Sequence, residues 1–177
     1  MTSSSSPFTP SPRLLAWAEQ AGYRFDADGP SGSSAFHNAG WETAFFVRAA
    51  GPFLRISSST RNQDEEYLAD VSTADVAEDF FLVEFGSSVR SALRLPRIRL
   101  PLSRDDAYPG FRVDDTRADR LVLLDGTGEP VVVMDRPWDP FSDVSTLVRL
   151  SWGIGAPSDS VAESFISPTG QPLFELK

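Results

Sequence analysis

Behind Ser11-Pro12, apolar residues recur at Leu14, Leu15, Trp17, Ala18 and Ala21, and the pattern stops at Gly22. That spacing is near-helical. Ser11 is a suitable cap and Pro12 suits a first turn, so a helix is predicted from residue 12 to Ala21. From Tyr23 the period shortens towards two. Tyr23–Asp26, Ser34–His37, Trp41–Arg48, Phe53–Ser58 and Tyr67–Val71 read as short strands, with turns at Asn38-Ala39-Gly40 and Gly51-Pro52. Together they predict an antiparallel meander with one wet face. Thr73 then caps a second helix whose first turns carry Asp75 and Glu78, where carboxylates favour the positive end of the dipole. Val76, Phe80, Phe81, Val83 and Phe85 are its burying residues. Gly86 is expected to break or kink it before a continuation through Val89 and Leu93.

Pro96 and Pro101 bracket a short extended piece at Arg97–Leu100, and a strand is expected at Phe111–Asp114. The clearest hairpin follows, with Leu121–Leu124 and Val131–Met134 joined through Asp125-Gly126-Thr127-Gly128. The last third predicts two helices, from about Asp143 to Trp152 and from about Ser158 to Phe165, separated by the breaker Gly153–Pro157. A turn at Pro168-Thr169-Gly170 leads to a final apolar segment, Leu173–Leu176. Helix, strands, helix, strands, helices is not a βαβ alternation. The expected fold class is α+β: an antiparallel sheet, meander plus hairpin, packed with several helices in a single domain over 12–177. Ser and Pro dominate residues 1–11, which are expected to form a disordered tail.

The chain has 177 residues with no cysteine and one histidine, His37. Thiol nucleophiles, disulfide scaffolds, Cys-based metal sites and any site needing two imidazoles are thereby excluded. Acids outnumber bases 25 to 16, a formal net charge of -9, which is the wrong global field for a phosphate backbone. Nucleic acid is therefore not an expected partner. The longest apolar runs, such as Phe80–Val83, are too short to span a bilayer, and the first residues have neither a basic nor an apolar signal region. No membrane association is expected, and the expected location is cytoplasmic.

Motif by motif, the chemistry is thin. His37 stands at a strand end with no acid in fixed relation to it. Leu123-Leu124-Asp125-Gly126-Thr127 superficially matches a phosphatase signature, but the nucleophilic aspartate position is Leu123, so the segment reads as a hairpin turn. Gly126-Thr127-Gly128 and Gly153-Ile154-Gly155 lack the lysine of a P-loop and the third glycine of a dinucleotide fingerprint. Asp105-Asp106 and Asp114-Asp115 are adjacent pairs, which point to opposite faces of a strand. The last two helices lack the basic residues of a recognition helix, so a packed helical hairpin is expected there. A small enzyme working through carboxylates and arginines would have Asp114, Arg112 and His37 as its candidates.

Charge placement is more informative. From Asn62 to Val89 lie eight acids and no base; from Arg90 to Arg104 lie five arginines and no acid. The hydrophilic turn Arg61, Asn62, Gln63, Asp64, Glu65 and Glu66, projecting from the meander, suits docking on a basic cleft of another protein. These six are the candidate partner-binding residues.

Two longer patterns carry a resemblance. Phe85-Gly86-x-x-Val89-Arg90 runs into Leu95-Pro96-Arg97-Ile98-Arg99-Leu100-Pro101 and then Pro109-Gly110-Phe111-Arg112-Val113; the end reads Glu163-Ser164-Phe165-x-x-Pro168-x-Gly170-x-Pro172-Leu173-Phe174. Over roughly residues 13–176 the chain resembles the actinobacterial immunity proteins typified by the antitoxin of the tuberculosis necrotizing toxin. The resemblance implies a cytoplasmic α+β antitoxin, without cofactor and not an enzyme, that binds the folded domain of a cognate protein toxin 1:1 and blocks its active site. The best-known target of the family hydrolyses NAD. An adaptor or chaperone for a secreted protein is the alternative, recognising a flexible segment instead of a folded site.

Overall fold

In the computed structural model, the residues described are 8–61, 63–135 and 140–177. Helix α1 (Pro12–Gln20) leads into β1 (Arg24–Asp26), β2 (Ser34–His37), β3 (Thr43–Ala50), β4 (Phe53–Thr60) and β5 (Glu66–Val71). Helix α2 (Ala74–Ala92) follows, then β6 (Ile98–Arg99), β7 (Arg112–Asp114), β8 (Arg120–Leu124) and β9 (Pro130–Asp135). Helices α3 (Pro140–Gly155) and α4 (Ser158–Ile166) precede β10 (Glu175–Leu176). Eight strands form one antiparallel sheet in the order β1-β2-β3-β4-β5-β9-β8-β7, and β6 pairs with β10 in a separate ribbon. The fold is a single α+β domain, as the order of patterns predicted.

Alternation along the strands puts one set of side chains towards the helices. Phe36, Phe45, Val47, Ile56, Val71, Leu121, Leu123 and Val132 share a core with Phe80, Phe81, Phe85, Leu147, Val161 and Phe165. On the opposite face Ala35, Ala44 and Phe46 form a small cluster with Trp41. The helices therefore cover one face of the sheet and leave the other open.

Several local expectations change. Ser11 does cap α1, its hydroxyl accepting from Leu14 N–H at 3.2 Å, and it also donates to Glu78 at 2.7 Å. The segment before it is not a tail throughout: Phe8 is 1% exposed and packs on Phe36 and Phe81, so apolar burial overrides the Ser/Pro composition over 8–11. Residues 1–7 of the expected tail lie outside the described residues. Gly86 neither breaks nor kinks α2, because its bare Cα is where Phe165 seats; a Cβ would stand 2.5 Å from the Phe165 ring. Gly153 and Gly155 likewise lie inside α3, which continues past the expected stop, with Val83 and Tyr108 occupying the places of their missing Cβ atoms. A packed neighbour recovers what glycine costs the helix.

Candidate partner-binding surface

The turn 61–66 joins β4 to β5 at an end of the open sheet. Arg61 takes a left-handed φ of 52°, and its N–H donates to Glu42 O at 2.7 Å. Gln63 is fixed from both sides, its N–H donating to Thr60 O at 3.0 Å and its carbonyl accepting from Ser59 Oγ at 2.8 Å. Asn62 lies outside the described residues. Glu65 folds back onto the sheet, where it accepts from Arg48 and from Ser57 Oγ. Its charge is met by Arg48 at the protein surface. Asp64 and Glu66 remain exposed and supply the outward negative charge of the turn.

Beside the turn, the open face of β3 carries Ala44, Phe46 and Arg48 at alternate positions. The Arg48 guanidinium lies 5.2 Å from the Phe46 ring centroid. Trp41, at a φ of 57°, stacks on His37 with centroids 4.0 Å apart and rings 5° from parallel. This aromatic–cation row next to the turn was missed from sequence. The signal was present, since Phe46 and Arg48 fall two apart on the face opposite Phe45 and Val47.

The acid block is only partly a surface field. Glu65 pairs with Arg48, and Asp70 makes a two-point contact to Arg55 at 2.9 and 3.0 Å. Glu78 receives Ser11, and Asp79 accepts from Ser158 Oγ at 3.2 Å. Half-burial pushes the Asp79 carboxyl up to about 6, against the lowering influence of Ser158. Asp64, Glu66, Asp75 and Glu84 are exposed. Among the described residues no ion pair joins this block to the arginine block that follows; its partners Arg48 and Arg55 come from the preceding strands.

Arg90 is the exception in the arginine block. It is 4% exposed and donates only to carbonyls: Pro96, Ser164 at 3.5 Å, Phe165 at 3.0 Å, Ser167 at 2.6 Å and Pro168 at 3.2 Å. Those oxygens crowd the negative end of α4, where a cation is favoured. Burial lowers the Arg90 pKa from its ordinary value. With Phe165 over Gly86, and Leu173 N–H donating to Ser164 Oγ at 3.0 Å, the two sequence patterns of α2 and the C-terminal segment form one packing unit.

The enzyme constellation does not assemble. His37 is on β2 and Arg112 and Asp114 on β7, six strand spacings apart, or roughly 29 Å across the sheet. Asp114 accepts from Thr116 N–H at 3.0 Å and its hydroxyl at 2.8 Å, which lowers its pKa. Asp125 accepts in the same way from Thr127 N–H at 2.8 Å, the Thr127 hydroxyl at 2.7 Å and Glu129 N–H at 3.0 Å. These bonds hold its pKa down, and the segment is the turn of the β8–β9 hairpin. The expected packed pair α3–α4 is observed, with Val161, Ser164 and Phe165 of α4 buried. Among the described residues no group of three or more His, Asp or Glu side chains is placed to hold a metal ion, and no helix is long and apolar enough to cross a membrane.

One eight-stranded antiparallel sheet is backed on a single face by four helices, and His37, Arg112 and Asp114 stand apart across it. The chain belongs to the Immunity protein 61 family, whose model matches residues 17–173. It is 28% identical over 150 residues to the "Immunity factor for TNT" of Mycobacterium tuberculosis, covering 82% of this chain and 80% of that one. A homolog of that factor from Mycobacterium bovis matches to the same extent. The solved structure of Rv3902c from M. tuberculosis superposes with a TM-score of 0.84 at 27% identity, over 96% of each chain.

Proposed function

We propose that this protein neutralises a cognate protein toxin of the NAD-hydrolysing kind, inside the cell that makes it, by binding the folded toxin domain 1:1 and occluding its active site. It acts by stoichiometric binding and not by turnover. The observation that carries this reading is the match to relatives named for immunity to TNT over four-fifths of both chains. Dispersal of His37, Arg112 and Asp114 across the sheet supports binding over catalysis.

The docking element in this reading is the turn 61–66. Asp64 and Glu66 supply the charge that steers encounter with a basic nucleotide cleft, while Arg61, Asn62 and Gln63 complete the contact and Glu65 holds the turn against Arg48. Co-expression with the toxin is expected to rescue growth, and the purified pair to elute as one complex. Full NAD hydrolysis by the toxin with this protein in molar excess would overturn the function. Reversal of Asp64 and Glu66 to Arg is expected to slow association at low salt. An unchanged association rate would remove the turn from the interface while leaving the function standing.

A further inference from the structure

The arginine block leaves a concavity that the toxin-binding reading does not use. A groove of about 770 Å³ lies between the C-terminal half of α2, the β6–β10 ribbon and α3. Ser87 and Ser91 enter it from α2 and Arg94 from just beyond the helix end, with Arg97, Arg149 and Lys177 around the rest. Ser87 and Ser91 lie four apart, so helical geometry stacks them on one side of α2, while Arg94 follows the helix C-cap at a left-handed φ of 56°. Leu95, Ile98 and Leu100 give the groove an apolar wall. No aspartate or glutamate lines it.

That absence has an energetic meaning. Five other arginines, Arg13, Arg48, Arg55, Arg104 and Arg120, each meet a carboxylate within 4 Å. Arg94, Arg97, Arg149 and Lys177 have no such ion pair among the described residues, in a chain of net charge -9. Glu84 is the carboxylate whose charge reaches Arg149, and it does not line the groove. Like charges gathered in a concave, partly apolar wall repel one another, and their field is focused into the groove. Arg149 is also held in position, its Nε donating to Ser145 O at 3.1 Å and its Nη2 to Thr146 Oγ1 at 3.0 Å. A preorganised guanidinium fork matches phosphate oxygens, and its immobilisation cost is already met by the helix.

We propose that this groove is a binding site for a small phosphorylated ligand of nucleotide size, the phosphates lying among Arg94, Arg97, Arg149 and Lys177 and an apolar or ring portion against Leu95, Ile98 and Leu100. The volume falls within the range of ordinary small-molecule sites. Ser87 and Ser91 offer hydroxyl donors to the same oxygens. Buried Arg90, already occupied by five carbonyls, serves as the wall and not as a ligand-binding group.

The test is calorimetric titration of the full chain with ADP, pyrophosphate and inorganic phosphate at low salt. Saturable ADP binding below about 1 mM is expected, tighter than that of either inorganic anion and weakened by added salt. The double variant R94E/R97E is expected to weaken ADP at least about tenfold, because two attractive charges become repulsive. Both positions are exposed, so the melting temperature reports whether the variant folds, and R24E on β1 serves as a cationic control outside the groove. No ADP binding by the parent, or ADP binding that survives R94E/R97E, would overturn the site. So would equal affinity for all three probes, which marks general attraction of anions.

Discussion

Replacing Arg90 by Met tests whether the buried guanidinium is what closes the C-terminal segment onto α2. The substitution keeps most of the side-chain volume and removes every donor. Five carbonyl oxygens lose a charged partner, four of them at or just beyond the end of α4. A hydrogen bond to a charged group contributes about 1.5–3 kcal/mol, but five on one fork are not additive. Against the loss stands the return of the guanidinium desolvation penalty. The net expectation is a destabilisation of about 3 kcal/mol, a large share of the usual 5–15 kcal/mol of a domain. For a chain of this size that lowers Tm by roughly 6–12 °C. Urea denaturation gives the global figure, and amide hydrogen exchange locates it: protection is expected to fall first at Ser164–Phe174. Lysine at the same position keeps the charge but cannot span the fan of acceptors, so Arg90→Lys is expected to recover less than half of the loss. A Met variant within about 0.5 kcal/mol of the parent, or one whose exchange rises evenly across the chain, would refute the clamp. Since Arg90 is buried, toxin inhibition per folded molecule should not change.

Gly86→Ala is expected to cost about 1–2 kcal/mol despite the better helix propensity of alanine, because the new methyl meets Phe165; the double variant with Phe165→Leu should lose much less than the sum of the two single effects. Asp79, whose carboxyl is raised to about 6, favours the folded state most when protonated, so the stability it allows is fully present below about pH 4 and declines as pH rises through 6. Asp79→Asn should therefore stabilise by about 1–2 kcal/mol at pH 7.5 and by almost nothing at pH 3.5; equal gains at both, read by denaturant midpoints, would contradict the shift. Glu65→Gln removes the pair with Arg48, which is partly solvated, and is expected to cost under about 1 kcal/mol. It should also leave association with the toxin closer to the parent rate than reversal of Asp64 and Glu66 does, as stopped-flow mixing at low salt would report.

Local chemistry was legible in the sequence; long-range neighbours were not. Ser11 and Thr73 cap their helices as expected, with Leu14 N–H and Val76 N–H donating to the two side chains at 3.2 Å. The Asp125-Gly126 turn and the division between α3 and α4 rest on contacts within a few residues. Gly86, Gly153 and Gly155 misled, since propensity treats glycine as a helix stop while a ring or branched chain from another element needs the space. Phe8 and Arg90 misled for the same reason: a lone apolar residue in a Ser/Pro stretch and one arginine among five give no local sign of burial. At the candidate interface the turn itself was visible, but not that Glu65 is consumed by Arg48, a partner 17 residues earlier.

The join between β5 and β9 has a kinetic consequence. Every other neighbouring pair of the large sheet is a hairpin or a short connection, so those ladders close at small entropic cost. The β5–β9 join instead spans α2, β6, β7 and β8, and is registered by Asp70↔Val133 and Val71↔Val132, with Ser72 N–H donating to Val131 O at 3.0 Å and Tyr67 Oη to Val133 O at 2.8 Å. Closing that loop costs the most chain entropy and returns few ladder bonds. Folding should thus proceed as two prefabricated β-ribbon halves whose coupling across this seam limits the rate, and Tyr67→Phe, which weakens the seam alone, should slow refolding with little effect on the hairpins themselves.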